Sequence, residues 1–425
     1  MKVLWITYDI FPEAKTLITQ KTELKGTGGW MLGLANSLIE NKATEVEISV
    51  ASVSPLVKDL TILKGEHMTH YVIPYGNGTS KYNKEYELAL KTIYEMAKPD
   101  IVHIHGTESS LGLSFLNACP QAKIVVSIQG LTSICHHYFN HGISFWQILK
   151  SCTLYALLRG TTLLHQKRTF RTKGENEVSI IKKAKHVIGR TGWDRAHCWA
   201  INPNAEYHFC NETLREEFYS GECWEYKNCN SHTIFLSQAW YPVKGLHMLL
   251  KAMPLILREY PDTVIRIGGI NITSCKNLKE RIRISNYGKI ISGLIKKYNL
   301  KNNVQFINPL NALEMKEEYL KCNVFVCPST IENSSNSLGE AQILGVPCIS
   351  SYVGGVADMI PDDACGKLYR FEEIEMLAKC IVDIFKESET FDNTTMRRTA
   401  SARHNRETNS LVQYNIYKDI IDSCN

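Results

Sequence analysis

Short apolar runs alternate with helix-length amphipathic stretches along this chain, and that rhythm leaves few folds open. It is the signature of parallel sheets whose strands are joined by crossover helices. Strands are expected at 2–8, 46–53, 71–73, 101–105, 124–128 and 187–189. A polar interval rich in Cys and Asn, from Tyr219 to His232, then breaks the pattern. Beyond it the rhythm restarts, with strands at 233–238, 264–268, 304–307, 324–327 and 348–351 and helices near 245–259, 278–298, 312–321 and 338–344. At 425 residues the chain exceeds one ordinary core. The reading is therefore an α/β protein of two doubly wound, Rossmann-like parallel-sheet domains, 1–218 and 219–404, facing a cleft.

Composition narrows the setting. No apolar run reaches the roughly 18–20 residues of a membrane span, and the sequence opens as a strand rather than as a signal peptide. A cytoplasmic protein is expected. The 14 cysteines are scattered, with no C-x-x-C pair, which points to reduced structural thiols rather than a disulfide framework or a metal site. A net charge of +5 does not imply nucleic acid. Its distribution matters more. Between Lys150 and Arg190 ten basic residues face two acids, Glu175 and Glu177, and leucines are interleaved among them. Such a stretch suits peripheral contact with an anionic membrane, here the inner face of the plasma membrane, or receipt of a pyrophosphate-bearing acceptor. A solvated helix face is the plain alternative.

The most informative segment runs from Pro328 to Ala341. It follows a strand and leads into a helix, so Asn336, Ser337 and Leu338 fall at a helix N-terminus, where backbone N–H groups attract anions. Glu332 in the loop and Glu340 in the helix can accept hydrogen bonds from vicinal hydroxyls, a pattern that suits a nucleotide-sugar. After the first strand of the second half, Gln238 and then Lys244-Gly245 enter the loop from which ligands are bound in open parallel sheets. The Lys244 ammonium there can neutralise charge on a leaving diphosphate. Gly354-Gly355 permits close backbone approach or simply a turn. In the first half, Gly28 and Gly29 precede a helix and can cradle phosphate, although neither the G-x-x-x-x-G-K-[ST] nor the G-x-G-x-x-G spacing is present. His103 and His105 share one strand face, with His105 nearer the strand end. Gln129 and Arg190 each follow a later strand, and Arg190 offers a positive charge suited to an acceptor phosphate.

Taken together, Gly28-Gly29, His105, Lys244-Gly245, Glu332 with Glu340-Ala341, and Gly354-Gly355 resemble the retaining glycosyltransferases of family 4, the group 1 glycosyltransferases of GT-B fold. The resemblance implies an acceptor-binding first domain, a nucleotide-sugar-binding second domain, and a final helix within 405–425 crossing back to the first. It implies that Lys244 binds the donor diphosphate, Glu340 the ribose hydroxyls and Glu332 the transferred sugar, with Gly28 and Gly29 approaching the diphosphate. The family's arginine shortly before the lysine is replaced by Gln238, and one of its histidines by Gln129. Asn333-Ser334-Ser335 departs from the usual start of the donor loop. The expected activity is hexosyl transfer from a UDP- or GDP-sugar to a glycan or lipid-diphosphate-linked glycan in surface polysaccharide biosynthesis. No third carboxylate announces a nucleophile and no D-x-D motif stands out, so same-face attack without a metal or other cofactor is expected. A nucleotide-sugar epimerase, or a non-catalytic nucleotide-sugar-binding protein, is the alternative on the same fold.

Overall fold

The computed structural model describes residues 1–21, 29–76, 79–80, 82–275 and 277–423. The chain divides into two compact units. One comprises Met1–Ile134, Thr169–Arg215 and Arg403–Asn425; the other comprises Cys135–Arg168 and Glu216–Ala402.

The first unit is built on an eight-stranded sheet. Its strands are β1 (Lys2–Thr7), β2 (Glu47–Ser54), β3 (Thr61–Lys64), β4 (Thr69–Pro74), β5 (Ile101–His105), β6 (Ile124–Ser127), β7 (His186–Gly189) and β8 (Glu206–Phe209), in the order β3-β4-β2-β1-β5-β6-β7-β8. Only β3 runs antiparallel to its neighbour. Central strands in such a sheet are covered on both faces and read as continuous apolar runs. Along β1, Leu4 and Ile6 enter one core with Val102, Ile104 and Phe115, while Val3 and Trp5 enter the opposite core with Leu34, Leu38 and Tyr417. The edge strands β3 and β8 were not expected, because neither contains a buried apolar run: the residues of each are half-buried or exposed. The helix Arg406–Asp422 belongs to this unit and supplies Ile416, Tyr417 and Ile420 to its second core.

The second unit holds six parallel strands: β9 (Thr233–Leu236), β10 (Val264–Gly268), β11 (Val304–Ile307), β12 (Val324–Cys327), β13 (Cys348–Ser351) and β14 (Lys367–Tyr369). Their order is β11-β10-β9-β12-β13-β14. Counted in chain order this is the 3-2-1-4-5-6 arrangement of a dinucleotide-type fold, whose winding reverses between its first and fourth strands. The single helix expected over 278–298 is two, Leu278–Arg283 and Asn286–Lys297, because Ser285 caps the second by accepting a hydrogen bond from Gly288 N. The segment 135–168, counted with the first domain in the sequence, clusters instead with this second unit. His247 Nε2 lies 2.8 Å from the His141 carbonyl, and Lys251 Nζ donates to the Gly142 carbonyl at 2.6 Å. Gly142 sits at φ +77°, and a Cβ there would lie 2.6 Å from Met248 Sδ. Single buried polar contacts of this kind leave no mark on hydropathy. Every described cysteine is a free thiol.

Candidate functional site

In a doubly wound sheet, ligands bind beyond the carboxyl ends of the strands where the winding reverses. In the second unit those strands are β9 and β12, which pair directly. β9 leads into a loop closed by the 3-10 turn Pro242–Lys244, and β12 leads into 328–335. The two loops bring Lys244 and Glu332 together: the ammonium lies 3.0 Å and 3.2 Å from the two carboxylate oxygens. Each side chain is only 15% exposed. Burial works against the charged lysine, but Glu332 and then Tyr241 outweigh it and hold Lys244 above the usual lysine range. An ammonium has three donors, so one N–H remains for a ligand after Glu332 is served.

Two glycines fix this geometry. Gly245 adopts φ +70°, and a Cβ on it would fall 1.6 Å from the Pro328 carbonyl oxygen. The loops therefore meet backbone to backbone, and Thr330 N donates to Val243 O at 2.8 Å. On the other side Gly354, at φ +54°, leaves room for the Glu332 carbonyl, 1.9 Å from where its Cβ would stand. Gly355 N donates to that same carbonyl at 3.0 Å. Both glycines thus clamp the Glu332 loop.

Ser335 caps the helix Asn336–Leu344, and its Oγ accepts from Leu338 N at 3.4 Å. Leu338 is fully buried, so its N–H serves the cap, while Asn336 and Ser337 are the half-buried first-turn positions at the anion-attracting end. Ser237 Oγ donates to Ser337 Oγ at 2.9 Å, tying the β9 loop to this helix. Glu340 is one turn deeper and buried; the Tyr319 hydroxyl lies 3.5 Å from it and donates to Ser337 O at 2.9 Å. Gln238, whose Oε1 accepts from Trp240 Nε1, lines the same small cavity as Lys244, Ser329 and Ser337.

The first unit places its own expected residues at strand ends. Its winding reverses between β1 and β5, and His105 ends β5. The His105 ring is buried, 4.2 Å from the Trp5 ring and 3.7 Å from that of His103. Burial, with His103 and Arg190 nearby, drives His105 well below the usual histidine range, so it is a neutral imidazole. Arg190 is 3% exposed. Its guanidinium pairs with Glu212, donates to Ile128 O at 2.8 Å and reaches Gln129 Oε1 at 3.4 Å. The positive charge expected at Arg190 to suit an acceptor phosphate is buried and paired with Glu212, a partner that local sequence could not reveal. Gly28 lies outside the described residues, and Gly29 opens the helix Gly29–Glu40.

In the sequence Glu177 counts only as one of two acids in a basic run, with nothing to mark it as buried. It is fully buried and accepts hydrogen bonds from Thr107 Oγ1 (3.0 Å), Thr132 N (3.0 Å) and Ser133 N (2.9 Å). Burial raises its carboxyl to about 7 even against those donors. Among the described residues, one set of three could hold a metal ion: His186, Glu206 and His208, on β7 and β8.

Residues 227–403 match the family model of glycosyl transferases group 1. That segment, less than half of the chain, is the part similar to the group 1 glycosyltransferases. Among curated proteins, an uncharacterized glycosyltransferase of Bacillus subtilis, YqgM, is 25% identical over 163 residues, 38% of this chain and 42% of that one. The alignments span less than half the length of the curated relatives matched. The fold extends further. Sucrose-phosphate synthase from Thermosynechococcus elongatus superposes with TM-score 0.70 at 16% identity over 100% of both chains. Anabaena HepE, solved with UDP and glucose, does so with TM-score 0.67 at 14% identity over 99% and 100%. These neighbours give the chain the GT-B class of fold. The matched residues contain Gln238, Lys244, Glu332 and Glu340, whereas His105, Gln129 and Arg190 lie outside them.

Proposed function

We propose that this chain is a retaining glycosyltransferase that moves a hexosyl unit from a UDP- or GDP-sugar to a glycan or lipid-diphosphate-linked glycan in surface polysaccharide assembly. The observation that carries the reading is the Lys244–Glu332 pair, 3.0 Å apart beside a helix N-terminus at the strand switch of the second unit. That HepE was solved with UDP and glucose supports a nucleotide-sugar donor. In this reading the second unit takes the donor and the first takes the acceptor. Lys244 and the helix end receive the diphosphate. Glu332 accepts hydrogen bonds from the sugar, and Glu340 answers the ribose.

The bond from the anomeric carbon to the diphosphate oxygen breaks as the acceptor oxygen attacks from the same face. The acceptor's proton passes to the departing phosphate oxygen, so no protein base is consumed. Lys244 stabilises the charge that grows on that oxygen, the largest kind of contribution a fixed cation makes. His105, neutral at pH 7, can share a hydrogen bond with a hydroxyl without carrying charge.

A second reading rests on Gln238, which puts a neutral amide where the family carries a cation: a nucleotide-sugar binder without turnover. Incubation with UDP- and GDP-sugars, with and without a lipid-diphosphate glycan, separates the two. Acceptor-dependent nucleotide release and a product of unchanged anomeric configuration by NMR support transfer. Donor binding without release in any combination supports the binder, and isomerised donor without acceptor would establish an epimerase.

A further inference from the structure

The helices between Phe145 and Leu164 expose more large apolar side chains than a solvated surface accounts for. Trp146 is 69% exposed, Leu154 73% and Leu158 80%, with Phe145, Leu149 and Leu157 alongside them. They are borne on two short helices, Phe145–Ser151 and Leu154–Leu158. Single exposed apolar residues are ordinary, but such a concentration marks an interaction surface.

The charge around them says which kind. The segment 135–168 contains four lysines and arginines and no aspartate or glutamate. The first of the two helices packs beside Asn286–Lys297, and between them runs a groove of about 290 Å³. Lys150, Lys289 and Lys297 line it, with Gln147 and Ser151 among its polar neighbours. None of the three lysines forms an ion pair among the described residues. The second helix packs beside Leu278–Arg283, where Arg281, Ile282 and Arg283 are exposed. Exposed tryptophan, phenylalanine and leucine flanked by an excess of cations, with Glu280 of the neighbouring helix bonded to Ser274 and Asn277, is the composition of a surface that lies in the headgroup layer of an anionic bilayer.

We propose that this face of the second unit docks on an anionic lipid membrane, with Trp146, Leu157 and Leu158 entering the interface and the Lys150–Lys289–Lys297 groove receiving lipid phosphate. It rests on the transferase reading only for its purpose, delivery of the site to a lipid-linked acceptor, and its test needs neither donor nor acceptor.

The experiment is flotation of the full chain with vesicles of phosphatidylglycerol and phosphatidylcholine, beside vesicles of phosphatidylcholine alone. The protein is expected to float with the anionic vesicles and at least tenfold less with the neutral ones, and raising salt from about 0.05 M to about 0.5 M should weaken flotation by a similar factor. Leu157→Glu with Leu158→Glu, and separately the triple change of Lys150, Lys289 and Lys297 to Ala, should each lower anionic flotation at least tenfold. Both alter exposed positions, and far-UV circular dichroism with a thermal melt confirms folding. Flotation that ignores lipid charge, or that survives both variants, overturns the proposal. So does a wild-type dimer by light scattering that becomes monomeric with the leucine changes while vesicles are not bound, since the face would then join two copies. Retained donor-induced thermal shift in protein that fails to float would sink the docking surface and leave the transferase reading standing.

Discussion

The role proposed for Lys244 and Glu332 joins function to the stability of a shielded ion pair, and the two contributions can be parted. Removing one partner leaves the other charge in a pocket only 15% exposed, at a cost of about 1–3 kcal/mol. Lys244→Ala should therefore lower both the melting temperature and turnover, the latter by about 10²–10³ if the ammonium stabilises the departing diphosphate. The double change Lys244→Met with Glu332→Leu removes the stranded charge. It should recover most of the lost stability in a denaturant titration while turnover stays at least as low as in Lys244→Ala; restored turnover in the double variant would remove both residues from the chemistry. Gly245→Ala tests the geometry rather than the charge. At φ +70° and 1.6 Å from the Pro328 oxygen, a methyl group forces the two loops apart. Strain of this kind costs on the order of 1–3 kcal/mol before the clash is counted. A melt unchanged within 1 °C would show that the loops do not meet as described. The Lys-Gly dipeptide and the two glutamates were legible from sequence because loop position and residue type already limit what they can do. The partnership of Arg190 with Glu212 was not, since both lie in ordinary polar contexts 22 residues apart and only the fold brings them together.

Among elements, the terminal helix Arg406–Asp422 tests how the first unit is held together. Tyr417 is fully buried; its hydroxyl accepts from Trp5 Nε1 at 3.1 Å and lies 2.6 Å from His103 Nδ1. Tyr417→Phe keeps the ring and removes the oxygen, leaving two buried polar groups without that partner. The expected loss is about 1–3 kcal/mol, measured by chemical denaturation, with no change in donor-induced thermal shift, because the residues proposed to hold the diphosphate, ribose and sugar belong to the other unit. A Phe variant as stable as the parent would mean that the hydroxyl network contributes nothing. Central strands were readable because burial on both faces forces continuous apolar runs, as in Val324–Cys327. The edge strands β3 and β8, and the three-residue β14, were not, because a strand with one open side needs no such run. The same limit applies to 135–168. Its docking on the second unit rests on backbone carbonyls of His141 and Gly142 meeting His247 and Lys251, and a carbonyl has no sequence.

Across the whole molecule, the response to acid follows from histidines held neutral in both units. Burial, the leading cause in each case, lowers His103 to about 3, His247 to about 3 and His404 to about 4. In the unfolded chain each titrates near 6.5. A depressed folded value means that the unfolded state takes up the proton first. Stability is then complete above about 6.5 and is lost as pH falls toward the folded values. Each histidine costs on the order of 1 kcal/mol per pH unit in that window, so three of them remove about 5–8 kcal/mol by pH 4.5. Glu177 acts in the opposite sense: raised to about 7, it favours folding below the ordinary glutamate range and loses that contribution as pH rises through 7. One such group does not offset three histidines. Thermal melts followed by circular dichroism should therefore fall steeply from pH 6.5 to 4.5. His247→Gln, which keeps an amide near the His141 carbonyl and cannot titrate, should reduce that loss by about 2 kcal/mol at pH 4.5 while lowering stability at pH 7.5. Melting temperatures that stay level to pH 4.5 in the parent chain would mean that these imidazoles take up protons inside the fold as readily as outside it, which their burial forbids.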